Sequence, residues 1–149
     1  MSDAIVDVIS DFRGQYRWLS NFHLTPIEYE GKIYPSTEHA YQAAKSSLPD
    51  VRESFTKTHI SPALAKKWGR LVVQRSDWEQ VKVQVMYDVC KYKFTHDAEL
   101  KQKLLDTGDA FLEEGNTWGD TFWGTVNGKG KNHLGMILMA IRTELKNDQ

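Results

Sequence analysis

Apolar positions recur at steps of three and four along most of the chain, and at steps of two only briefly near its start. In "SDWEQVKVQVMYDVCKYKF" the residues Trp78, Val81, Val85 and Val89 share one face, and Ser76 with Glu79 has capping-box spacing, which makes this the clearest helix. "SPALAKKWGR" predicts another, with Ser61 as N-cap, Pro62 at the first helical position and Gly69 at the stop. Leu100, Leu104 and Leu105 predict a helix ended by Gly108. Leu134, Ile137, Leu138, Ile141 and Leu145 predict a long amphipathic one near the C-terminus. "IEYEGKIYP" reads as two short extended pieces about a Glu-Gly turn, and Pro35 ends the second before "STEHAYQAAK" turns helical behind Ser36. The expected fold is mainly α, one compact helical domain over residues 1–149 with its core from about 10 to 146 and a small β element near the N-terminus.

Composition narrows the function classes. With 40% hydrophobic residues, 11% aromatic residues and a formal charge of -1, the chain has the balance of an ordinary globular protein and no bulk attraction to nucleic acid, so any such contact needs a local basic patch. The single cysteine, Cys90, excludes an internal disulfide; it falls among apolar neighbours in the Trp78 helix, where a thiol behaves as a small hydrophobe. "MSDAIVDVIS" lacks the basic and apolar regions of a secretion signal, and no stretch reaches the roughly eighteen apolar residues of a membrane span. A cytoplasmic protein with no membrane partner is expected. The histidines at 23, 39, 59, 96 and 133 show no metal-ligand spacing, so neither a metal nor a cofactor is expected. His39 points about 100° away from Glu38 on a helix and reads as structural.

Two segments gather polar chemistry. Glu38, Gln42 and Lys45 stand at i, i+4 and i+7, so a carboxylate, an amide and an amine project from one helix face. That pattern suits either a solvated helix side or a reacting cluster. In "WGDTFWGTVNGKGKNHLG" the Walker spacing and the dinucleotide fingerprint both fail, but the physics beneath them survives. Gly124, Gly128 and Gly130 let backbone N–H groups approach an anion, Lys129 and Lys131 add charge, and Asn132 is placed to cap the helix whose positive end faces the same spot. A phosphate cradle or a merely solvated turn satisfies that pattern. Trp118, Phe122 and Trp123 offer stacking surfaces beside it, while Asp120 is either a reacting carboxylate or a turn-forming Asx residue.

"LSNF" at 19–22, "YPSTEHAYQAAK" at 34–45, "WGR" at 68–70, "DWEQVKVQVM" at 77–86, "KF" at 93–94, "FWG" at 122–124 and "GKGKNHLG" at 128–135 together resemble the NADAR family of YbiA-like proteins. The resemblance is dispersed over nearly the whole chain, and order and spacing make it specific. It implies a mainly α-helical N-glycosidase acting either on ADP-ribose attached to guanine or on phosphorylated ribosylaminopyrimidine intermediates of riboflavin synthesis. A non-catalytic ADP-ribose or NAD-binding module is the further alternative. The resemblance also implies roles. Glu38 and Asp120 become the acid–base or charge-stabilising pair, and Lys45 either a nucleophile at ribose C1 or an electrostatic partner. Asn21 and Phe22 would line the sugar or base site beside Gln42. Trp78 and Trp123 would stack, and Arg70, Gly124, Lys129, Lys131 and Asn132 would serve the phosphates. Of the substrates, ADP-ribosylated guanine in nucleic acid or nucleotide is the expected partner.

Overall fold

The computed structural model describes residues 6–149; residues 1–5, the start of the stretch read for a secretion signal, lie outside them. The chain divides into two compact units, residues 21–93 and the flanking segments that end at Ser20 and resume at Phe94.

In the 21–93 unit, β2 (Ile27–Tyr29) and β3 (Lys32–Tyr34) form the expected hairpin, antiparallel with Ile27 opposite Tyr34. Its turn falls on Glu30 and Gly31, whose φ angles of 47° and 87° are the pair of left-handed conformations a two-residue hairpin turn requires. Period-two alternation buries Ile27 and Tyr34 and turns Ile33 outward. Helix α1 (Thr37–Ala44) follows, and the Ser36 hydroxyl oxygen accepts the His39 amide at 3.2 Å as its cap. The short α2 (Pro49–Ser54), not visible in the apolar spacing, leads to α3 (Pro62–Gly69), capped as expected by Ser61 with Pro62 first. Both α2 and α3 pack on α1, which is buried along its whole length.

Helix α4 (Trp78–His96) starts one residue later than the capping box predicts. The Asp77 carbonyl accepts the first helical N–H groups, from Gln80 at 3.0 Å and Val81 at 3.1 Å, while the Asp77 carboxylate pairs with Arg75 at 2.6 and 3.0 Å. Trp78, Val85 and Val89 are buried as the stripe requires. His39 is structural. Its Nε2–H donates to the Ile60 carbonyl at 2.7 Å, Nδ1 accepts from Ser36 at 2.6 Å, and burial lowers its pKa, which together fix one neutral tautomer.

The other unit holds a 3-10 helix (Gly14–Leu19), α5 (Ala98–Asp106) and α6 (His133–Asn147). Asp97 caps α5 through Leu100 N, and all five apolar residues predicted for α6 are buried. The sequence pattern did not show the parallel pair of β1 (Val8–Ile9) and β4 (Phe111–Leu112), because two residues are too few to display alternation. Trp18 meets Phe94 edge-on at 6.3 Å, anchoring the 3-10 helix. The chain is mainly helical with few strands, as expected, and no helix among the described residues is long and apolar enough to cross a membrane.

Candidate functional site

The residues singled out from the sequence fall into two groups, one in each unit. In the 21–93 unit, the face of α1 that spacing alone left open between solvent and chemistry is not solvated. Glu38 and Gln42 are 8% and 5% exposed, and the Gln42 amide Nε2 donates to Glu38 Oε2 at 2.6 Å. A buried carboxylate held by a short, charge-assisted hydrogen bond is oriented as well as charged. Lys45 stands at the C-terminal end of the same helix, half-buried, with Nζ 3.4 Å from the Gly69 carbonyl and 5.8 Å from the centre of the Tyr41 ring. Burial pushes its amine below the ordinary lysine pKa, the charges of Arg70 and Lys82 push the same way, and the Glu38 carboxylate opposes them. The outcome is an amine with an enlarged neutral fraction beside a fixed carboxylate.

Two other expectations in this unit change, those for Asn21 and Trp78. Asn21 does not line an open sugar site. It is buried, with Nδ2 on Met86 Sδ at 3.4 Å and Oδ1 accepting from Thr37 at 2.8 Å, while its backbone carbonyl accepts the Glu38 amide at 3.2 Å. It thus fixes the first turn of α1, where Glu38 sits. Trp78 is only 3% exposed and packs 5.2 Å from Tyr41, so it presents no face for stacking on a ligand. Cys90 is fully buried, its thiol pushed up to about 12 by desolvation, so it is no nucleophile. Phe22 is half-buried, and Arg70 is exposed at the end of α3.

In the other unit, Asp120 takes the turn role that the sequence left open. Its Oδ1 accepts the backbone N–H groups of Phe122 at 3.0 Å and Trp123 at 2.9 Å. Asn116, which spacing did not single out, clamps it: Asn116 Nδ2 donates to the Asp120 carbonyl at 2.8 Å and Oδ1 accepts its amide at 3.0 Å. The i, i+4 spacing of Asn116 and Asp120 was the only signal. The turn presents an aromatic group in which Trp123 meets Phe122 edge-on at 4.8 Å and Phe122 lies 4.5 Å from His133. Trp118 is 53% exposed.

The backbone groups at the start of α6, which the sequence left open between a phosphate cradle and a solvated turn, are in large part taken up within the chain. The N–H groups of Lys131, Asn132, His133 and Leu134 already donate to the carbonyls of Thr121, Gly124, Phe122 and Trp123. Asn132 has a left-handed backbone, φ 54°, rather than the extended one of a capping residue, and its side chain makes no capping hydrogen bond to the helix. Its amide instead stitches Leu112 O and Glu114 N, each at 2.9 Å. Gly124 is buried, and a Cβ there would overlap the backbone and carboxylate of Glu114, so the glycine serves chain packing. Of the expected phosphate contacts on this segment, the exposed lysines Lys129 and Lys131 are the two whose charges reach solvent, Lys131 with Nζ 5.8 Å from the Phe122 ring centre.

The family model described as the NADAR domain matches residues 10–146. The chain is 40% identical over 148 residues to the protein named N-glycosidase YbiA of Escherichia coli K12, an alignment covering 97% of this chain and 91% of that one. It is 37% identical over 133 residues to a protein of Vibrio vulnificus named for riboflavin biosynthesis, covering 87% of this chain and 35% of the relative. Among solved structures, the NMR structure of Escherichia coli YbiA superposes with a TM-score of 0.84 at 38% identity, covering 97% of this chain and 89% of that one.

Proposed function

The chain belongs to the NADAR family, and from that premise we propose that it is a hydrolase of N-glycosidic bonds that releases ADP-ribose from ADP-ribosylated guanine. The observation that carries the reading is the buried Glu38–Gln42 pair beside Lys45. Breaking a C–N glycosidic bond leaves the electron pair on the departing base nitrogen and builds positive charge on ribose C1 and the ring oxygen. A carboxylate fixed by a 2.6 Å hydrogen bond is suited to stabilise that charge. The neutral amine of Lys45 attacks C1, and the proton it gives up balances the one the base takes. Ring opening yields an imine, which water hydrolyses to free ADP-ribose and the restored amine. Asp120 holds the turn that presents Trp123 rather than reacting, and each unit offers its own exposed cations for phosphate, Arg70 in the 21–93 unit and Lys129 with Lys131 in the other.

A second reading keeps the bond class and changes the substrate to a phosphorylated ribosylaminopyrimidine; the name of the Vibrio vulnificus relative favours it. Mass-spectrometric product analysis after incubation with ADP-ribosylated single-stranded DNA and, separately, with the pyrimidine riboside phosphate separates the two. Release of unmodified guanine sites and ADP-ribose supports the first reading. Consumption of the pyrimidine alone replaces it with the second, and tight ADP-ribose binding without cleavage of either leaves a binding module.

The phosphate assignment has its own expected result. Replacing Lys129 and Lys131 together by alanine raises KM several-fold and flattens its dependence on salt, with the melting temperature unchanged because exposed lysines add little stability. A parent-like KM at both low and high salt removes these lysines from the phosphate site.

A further inference from the structure

Gly69 has no conformational reason to be glycine. It closes α3 within the helix, outside the left-handed region that would demand a missing side chain, and alanine is the better helix former there. The reason lies in space. A Cβ at this position would overlap the side-chain amide of Gln42, standing 2.5 Å from its Cδ. That amide is the group whose Nε2 holds Glu38 at 2.6 Å, and its other end, Oε1, lies against the bare Cα with no hydrogen-bond partner among the described residues. An amide with one end bonded and the other end only in contact takes its orientation from both. We infer that Gly69 is a positioning residue for the reaction, its bare Cα seating the Gln42 amide so that the Glu38 carboxylate is held in place.

The inference rests on the N-glycosidase reading. It also separates two roles of one residue. The Gly69 carbonyl accepts from Lys45 Nζ, but every amino acid carries a backbone carbonyl, so that contact survives substitution. Gly69→Ala therefore disturbs Glu38 through Gln42 and spares the Lys45 contact. The overlapped atoms are the far end of a flexible side chain, and the least costly relief is for the amide to swing away, which breaks its bond to Glu38.

The test is a double-mutant cycle read in kcat, KM and melting temperature for Gly69→Ala, Gln42→Ala and the pair. Loss of a hydrogen bond to a charged group lowers kcat about tenfold or more in either single variant, with KM within about twofold of the parent. Because Gly69 acts through Gln42, the double variant is no slower than Gln42→Ala. Effects that multiply, or parent-like turnover in Gly69→Ala, overturn the inference. Should Gly69→Ala fail to fold, the double variant, relieved of the overlap, still folds and turns over like Gln42→Ala; a slower double variant overturns the inference. Side-chain amide NMR gives a readout that needs no turnover: the Gln42 NH2 resonances shift in Gly69→Ala as they do in Glu38→Gln. A parent without glycosidase activity defeats the functional reading, whereas unmoved Gln42 resonances defeat the positioning role alone.

Discussion

Glu38→Gln lowers kcat by roughly a hundredfold or more while ADP-ribose binding stays within about twofold of the parent protein. The substitution keeps shape and hydrogen bonding, since the new side-chain oxygen accepts from Gln42 Nε2 as the carboxylate does, so α1 retains its packing. Only the charge is lost. That loss acts on turnover in two opposite directions. It removes the anion facing the cation that develops on ribose, which slows bond cleavage. It also removes a carboxylate that raises the Lys45 pKa, leaving burial and the charges of Arg70 and Lys82 to lower it further, so more of the amine is neutral at a given pH. The pH–rate profile separates them: in Glu38→Gln the rise of kcat with pH moves to lower pH, while its plateau falls. A plateau equal to or above that of the parent would mean that the carboxylate only restrains Lys45, and the role in charge stabilisation would be withdrawn.

The parts of this chain legible in its sequence are those set by neighbours in sequence. Ser36 and Ser61 cap their helices and Glu30–Gly31 turns the hairpin because each motif closes within four residues. The candidate site was legible as residue types and not as environments. Spacing put Glu38, Gln42 and Lys45 on one face, but whether that face meets water depends on α3, whose Gly69 comes 27 positions after Gln42. The segment around Asp120 stayed open between two readings for the same reason. Its glycines and lysines have the composition of an anion loop, yet the carbonyls of 121–124 take up the N–H groups of 131–134 across a turn that no short motif encodes. Trp78 was caught between two readings by an apolar stripe that spacing resolves and a Tyr41 contact that it does not.

Borohydride added during turnover traps a covalent ribosyl adduct on Lys45, by reducing the imine formed after the base has left, and peptide mapping finds it at no other lysine. The selectivity has a physical cause. Trapping requires a neutral amine, and burial together with the charges of Arg70 and Lys82 lowers the pKa of Lys45. The sign with pH follows. Turnover is low while Lys45 is protonated and rises as pH passes its depressed pKa, at a lower pH than an ordinary lysine would give. Replacing Arg70 with glutamine removes one of the charges that lower it and moves that rise to higher pH. Lys45→Arg retains the positive charge but has no amine that forms an imine, so the adduct disappears and kcat falls by roughly a hundredfold or more, while ADP-ribose still binds. Full turnover in Lys45→Arg, with no adduct trapped in the parent, would leave water as the attacking group and reduce Lys45 to an electrostatic partner of Glu38.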